Sequence, residues 1–324
     1  MTHAASGRDL EPGGEETELP QPPRVSVIVM TFNRPAPLRR CLTSLTAQTL
    51  SPEAFEVIVV DASDRPARDV LAGFAGRLRV AHHVTPNLGV ASNRNTGVAA
   101  ARGPIVAFLD DDCVADPHWL ECITAAVEAD PRRLVGGLVE NPDPTNAVAV
   151  AGQVITEGVS SFFNPSGGEP RFLPGLNFAV ERRRYLAIGG CDPRFGRLAA
   201  EDRDFSDRWR LAGGALASCP DAIVHHEHRS TIRGFARQHV NYGRGAWRYH
   251  SARRLRRSGR MADDLRLHVS LRRHLGPPIM RLAPRMRAKV VLLLATWQLA
   301  NLVGFVSQGI LETLERVPQG DART

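Results

Sequence analysis

Short runs of β-branched residues alternate with amphipathic stretches along the first third of the chain. Val25-Ser26-Val27-Ile28-Val29-Met30, bounded by Pro22-Pro23 and by Thr31-Phe32-Asn33-Arg34, predicts a strand. Leu38, Cys41, Leu42, Leu45 and Leu50 follow at helical spacing, and a second strand, Phe55 to Val60, ends in Asp61-Ala62-Ser63-Asp64. An amphipathic stretch over Val70 to Leu78 leads to a weaker strand at Leu78 to His83. Asn87 to Ala101 reads as a loop, carrying Arg94, that feeds a helix of small residues. The apolar run Pro104 to Leu109 then delivers Asp110-Asp111-Asp112 at its carboxyl end. Near-continuous apolar strands separated by helices predict an α/β fold, a mostly parallel sheet covered by helices on both faces.

Further along the pattern loosens. Residues 131–176 carry Pro, Gly and Asn between short apolar pieces and give no clear element. Gly175-Leu176-Asn177-Phe178-Ala179-Val180 follows, and Glu201 to Arg210 predicts a helix ended by Gly213-Gly214. Ala222-Ile223-Val224 leads into His225-His226-Glu227-His228. Val290 to Val306 is apolar except for Thr296, Gln298, Asn301 and a few small residues. Seventeen residues are at the lower limit for a bilayer span, and two amides argue against one, so a core helix or one lying on a membrane surface is expected.

Charge divides the chain. From Arg229 to Lys289 there are 17 Lys and Arg against 2 Asp and Glu, a local net of +15, which leaves −8 for the remainder of a chain whose total is +7. Such a segment suits an anionic partner, although one lysine against forty arginines is also what a GC-rich genome produces. The five cysteines are scattered, without C-x-x-C spacing, and are expected to be reduced thiols in a cytoplasmic protein. Residues 1–23 lack an apolar run and read as a disordered tail with no secretory leader.

Ligands of parallel α/β sheets bind beyond the carboxyl ends of the strands. Three such ends carry polar groups, Thr31-Phe32-Asn33, Asp61 and Asp110-Asp111-Asp112, which places them around one crevice. Three adjacent carboxylates repel one another unless a cation sits among them, and a hard divalent ion with oxygen ligands fits. The alternative is a solvated turn capping the helix that begins near Asp116-Pro117. No G-x-G-x-x-G follows the first strand and no G-x-x-x-x-G-K-[ST] occurs, which excludes the usual dinucleotide and P-loop signatures.

Eight stretches in order, VSVIVMTFNR, VIVVDASD, NLGVASNRNTG, VAFLDDDC, GLNFAV, IGGCDPRFG, EDRDF and PDAIVHHEH, resemble the family 2 glycosyltransferases. The resemblance covers residues 25 to 228. It implies the GT-A fold, a Rossmann-like nucleotide-sugar-binding fold, and inverting transfer from a nucleotide diphosphate sugar to an acceptor hydroxyl. On this reading Asp61 accepts a hydrogen bond from the donor's base, Thr31, Phe32 and Asn33 line the nucleoside, and Arg94 meets phosphate or nucleoside. Asp110 and Asp112 form the family's D-x-D. Asp112 is the first choice to hold Mn²⁺ or Mg²⁺, with Asp110 and Asp111 on ribose or metal-bound water. His226 completes the metal shell and favours Mn²⁺, while a separate zinc site through His225, His226 and His228 ranks below it. Asp202 corresponds to the general base and Glu201 orients the acceptor or raises its neighbour's pKa. Gly175 and Asn177 shape the floor between donor and acceptor. Val180 and Cys191 stand where an arginine and a phenylalanine are common in the family.

The expected organisation is therefore a tail (1–23), a catalytic domain (24–228) and a basic, helical C-terminal extension (229–324). The partners implied are the donor, a hydroxyl acceptor (glycan, lipid-linked or small molecule) and an anionic membrane surface, which would make the protein peripheral on the inner face of the cell membrane. Two rivals remain: a same-fold nucleotidyltransferase, and a non-enzymatic nucleic-acid or lipid binder. The latter would use Phe235, Tyr242, Trp247 and Tyr249 among Arg237, Arg244 and Arg248. A helix with a buried aromatic face and a solvated arginine face is the expected account of those residues, and nucleic acid is not the expected partner.

Overall fold

A computed structural model describes residues 22–165, 168–227 and 231–316, apart from the side chains of residues 263–265 and 316. Residues 1–21 of the expected tail lie outside them. The elements run β1 (Val25–Thr31), α1 (Pro35–Leu45), β2 (Phe55–Asp61), α2 (Arg68–Ala72), β3 (Val80–Val84), α3 (Val90–Ala100) and β4 (Ile105–Asp110). A two-residue turn then leads to β5 (Cys113–Ala115), α4 (Trp119–Ala129), β6 (Arg133–Glu140), α5 (Ala147–Phe163), β7 (Asn177–Glu181) and α6 (Arg182–Ala187). The chain ends in α7 (Glu201–Leu211), β8 (Ala215–His226), α8 (Ile232–Arg256), α9 (Met261–Val269), α10 (Leu271–Met280) and α11 (Pro284–Arg316).

One eight-stranded sheet has the order β3-β2-β1-β4-β7-β6-β8-β5. The first four positions are parallel, as the apolar runs predict. Beyond them the sheet is mixed: β7 is antiparallel to β4 and β6, β8 is parallel to β6, and short β5 is antiparallel to β8. The period of two in β1 sends Val25, Val27 and Val29 to one face, against Leu38, Leu42 and Leu45 of α1. Ile28 and Met30 go to the other, which also holds Ala91 and Val98 of α3 and Phe205 and Trp209 of α7. Helices thus cover both faces.

Three expectations need correction. The stretch Val70 to Leu78 forms a helix only to Ala72, although Val70, Phe74 and Leu78 are all buried. The punctuated segment 131–176 contains a strand, β6, and a 17-residue helix, α5. The Asn146 side chain starts α5 by accepting hydrogen bonds from the Val148 and Ala149 amides, a cap that could have been read in advance. The C-terminal helix is 33 residues long, about twice the apolar run that announces it.

α5 does not join the sheet's two cores. Val150, Val154 and Ile155 pack with Phe235 of α8, Leu275 of α10 and Val290, Leu293 and Trp297 of α11 in a separate cluster. The expected aromatic face of α8 is buried in part: Phe235 and Tyr249 are buried, Tyr242 is exposed, and half-buried Trp247 packs edge-on against Phe305, while Arg244 and Arg248 bind Gln308 and Glu312 of α11. The two helices touch through glycine. A Cβ at Gly304 would lie 2.0 Å from the Val240 carbonyl oxygen, and one at Gly243 would lie 2.1 Å from that of Asn301.

Candidate active site

Strand register assembles the site's edge. Thr31 at the end of β1 pairs with Asp61 at the end of β2, and Met30 pairs with Asp110 at the end of β4. Past Asp110 the tight turn sends consecutive carboxylates in different directions. Asp111 points inward and is fully buried, where it accepts a hydrogen bond from Thr31 Oγ1 at 2.7 Å and pairs with the Arg34 guanidinium at 2.5 Å. Asp110 and Asp112 face a large cavity that Arg34 also lines. Arg34 binds Asp112 as well, at 2.5 Å, and so bridges two of the three carboxylates. Sequence reasoning missed it, though it directly follows Asn33 in the loop already singled out.

Pairing of β5 with β8 sets Cys113 opposite His226, which brings the His226 Nε2 within 3.5 Å of Asp112 Oδ1. Donor atoms of Asp112, Cys113 and His226 lie within 4.8 Å of one another. Asp110 Oδ1 and Asp112 Oδ1 are buried yet accept no hydrogen bond. Two carboxylates with spare buried oxygens and one imidazole fit a hard or borderline divalent cation, whereas the soft sulfur of Cys113 matches neither Mg²⁺ nor Mn²⁺ well. Burial and the Asp112 charge push the Asp110 carboxyl up against the pull of Arg94. Burial opposes ionisation of Asp112 too, but the neighbouring His226 imidazole and the Arg34 guanidinium outweigh it and hold that carboxyl below its ordinary value. His225 turns away to Glu140, at 3.6 Å, and His228 of the alternative zinc set lies outside the described residues.

Arg94 joins this cluster to Glu201, the neighbour of Asp202. It sits within α3, not in the preceding loop, and it is buried. Its guanidinium lies 2.5 Å from Glu201 and 4.0 Å from Asp110, over the rings of Phe108 and Phe178. The Glu201 charge holds it protonated despite burial. Gly175 is small because a Cβ there would meet that guanidinium at 2.3 Å. The Gly175 amide donates to Asp202 Oδ2 at 2.9 Å, and the Arg203 amide donates to Asp202 Oδ1 at 2.8 Å. Glu201 and Asp202 open α7, where the helix dipole favours carboxylates. The preceding Ala200 holds a left-handed φ of 73°, a conformation that costs an alanine roughly 1 kcal/mol. Close approach of α8 constrains the segment before it, since a Cβ at Gly245 would lie 2.1 Å from the Ala199 carbonyl oxygen.

The cavity therefore unites Arg94, Asp110, Asp112, Gly175, Glu201, Asp202 and His226. It does not unite the rest. Asn177 is fully buried beneath it, accepting from Trp119 Nε1 and donating to the Leu138 and Ala222 carbonyls, so it ties α4, β6 and β8 together. Asp61 is buried as well, and its oxygens take the amides of Ser63 and Ala67 and the His82 ring at 3.1 Å. Asn33, with a φ of 55°, binds Ser63 and Asp64, and Phe32 is exposed at the rim.

Residues 26–187 match the model of glycosyl transferase family 2, and the chain belongs to that family. Among its relatives, a validoxylamine A glucosyltransferase of Streptomyces hygroscopicus subsp. limoneus is 40% identical over 38% of this chain and 28% of its own length. A pre-mycofactocin glycosyltransferase of Mycobacterium tuberculosis is 29% identical over 70% of this chain and 49% of its own. The chain thus spans less than half of either relative. In fold it is similar to a mannosyltransferase from Pyrobaculum calidifontis solved with GDP-Man and Mn²⁺, with a TM-score of 0.60, 17% identity and coverage of 91% of this chain and 88% of the other. The fold is GT-A.

Proposed function

We propose that this chain transfers a glycosyl group from a nucleotide diphosphate sugar to an acceptor hydroxyl, with inversion and with the help of Mn²⁺ or Mg²⁺. The observation that carries the reading is the single cavity in which Asp110, Asp112 and His226 meet Glu201 and Asp202, with Arg94 between them. Asp112, Asp110 and His226 would hold the cation, which would supply positive charge to offset that developing on the leaving diphosphate. Asp111 serves through Arg34 and does not touch the donor. Asp202 takes the acceptor proton as the acceptor oxygen bonds to the anomeric carbon and the bond to the diphosphate breaks. Its two amide partners orient the carboxylate for that step, and the Arg94 guanidinium pairs with Glu201 while burial pushes that carboxyl up to about 7. Asp61, Thr31, Phe32 and Asn33 form the rim nearest the nucleoside, by backbone position more than by free side-chain groups.

Asp202→Asn is expected to lower transfer by at least 10³-fold, general-base loss plus disturbed orientation, while Mn²⁺-dependent binding of the nucleoside diphosphate stays within about threefold. Near-normal turnover in this variant, on an identified acceptor, would reject the assignment of the base.

We further infer that the C-terminal helices rest on an anionic membrane. α11 is long and apolar enough to cross a bilayer by length and composition, yet one stripe of it is buried against α5 and α8. Its other face leaves Leu292, Leu299, Leu302, Val306 and Leu314 about half or more exposed, and Arg281, Arg285, Arg287 and Lys289 lie at its start. A helix lying in the interface satisfies both faces.

A further inference from the structure

The cavity is larger than one ligand needs. At about 1510 Å³ it exceeds the roughly 300–1,000 Å³ of a site for one small molecule. Its charged end holds the groups described above, and the remainder is an apolar chamber between α5, α8 and α11. Ile155 and Val159 form one wall, Phe235 and His239 the second, Trp297 and Leu302 the third. Polar groups reach it mainly from α8 and α11, among them Gln238, Asn241, Tyr242 and Asn301. His239 is nine-tenths buried or more, and its Nδ1 has no hydrogen-bond partner; Gln298 Nε2 is likewise buried and unbonded. Leu299 and Leu302 line the chamber and also belong to the exposed face of α11, so the chamber opens onto that apolar surface.

Resting on the transfer reading above, we propose that this chamber is the acceptor site and takes an acceptor whose hydroxylated head is carried on a lipid chain. The head lies toward Asp202, with the unbonded His239 and Gln298 nitrogens as its polar contacts, and the chain leaves past Leu299 and Leu302 into the membrane. A free sugar acceptor would leave the three apolar walls in contact with water. A lipid chain buries them, and each buried methylene strengthens binding about fourfold.

The test uses the full chain and alkyl β-D-glucosides of increasing length, methyl, butyl and octyl, each below its micelle-forming concentration, by titration calorimetry. Saturable one-to-one binding is expected, with affinity rising at each step and octyl at least a hundredfold above methyl. Val159→Trp fills the chamber and should cost octyl glucoside at least tenfold. His239→Phe retains the ring packing and should weaken it severalfold. Equal affinity for methyl and octyl overturns the proposal, as does a plateau at butyl, which would indicate a compact apolar aglycone. Unsaturable binding indifferent to both variants also overturns it, assigning the chain to the outer face of α11. Should Val159→Trp fail to fold, unchanged octyl affinity in His239→Phe decides against the chamber. Mn²⁺-dependent binding of GDP or UDP, measured on the same protein, reports separately on the transfer reading.

Discussion

Asn177 illustrates how a motif residue can be indispensable without touching a ligand. Its amide satisfies three buried partners, one indole N–H and two carbonyls on different elements. Asn177→Ala should lower unfolding free energy by about 3 kcal/mol in urea titration, because each orphaned group costs roughly 1–3 kcal/mol. An unchanged midpoint with reduced turnover would instead return Asn177 to the donor site. His239 gives a pH signature. Burial pushes its pKa down from 6.5 to about 4, so the unfolded chain binds the proton more readily. Its contribution to stability is complete above about pH 6.5 and is lost as pH falls toward 4. Melting temperature should fall across that window, and His239→Phe should flatten the fall. The Asp110-Asp111-Asp112 run was legible as a carboxylate cluster at the carboxyl end of a parallel strand. Which oxygens face the cavity was not, because the turn after β4 splits neighbours between core and crevice. Arg34 and Asn177 were obscured for the same reason: their partners are distant in sequence.

At the scale of elements, the first four parallel strands were legible because each is a near-unbroken apolar run ending in polar residues. α5 was not. Its valines, glycines and serines have weak helix preference, and the helix is held by its Asn146 cap and by packing against α8, α10 and α11. Antiparallel β7 was equally hidden, since strand direction depends on connections through that same segment. The crossing of α8 and α11 relies on close backbone contact. Gly304→Val must push the helices apart against a carbonyl 2.0 Å from the new Cβ, costing about 3 kcal/mol. Limited proteolysis should then cut within residues 284–316 before the sheet domain, whereas an undisturbed digestion pattern would refute the rigid crossing.

Across the whole molecule, charge and apolar surface are segregated into the C-terminal helices. That segregation was visible as composition, but its geometry was not, because a 33-residue helix can be core, span or interface with one sequence. On the membrane proposal, the exposed apolar face of α11 is the surface that would meet the interface. Co-sedimentation with vesicles of phosphatidylglycerol and phosphatidylcholine should recover most of the protein in the pellet. Leu302→Asp with Val306→Asp should shift it to the supernatant by at least fivefold, and 0.5 M salt should weaken the wild type. Equal partition of wild type and variant would reject membrane docking.

Arg94 lies between Asp110 and Glu201, the only described guanidinium within ion-pair reach of both. A single counter-ion thus serves two ligand sites. The closer pair is with Glu201, so a change of charge at either carboxylate alters what the guanidinium offers the other. On the roles proposed above, the two ends of the cavity would then be coupled through one side chain, each tightening the other by the same factor.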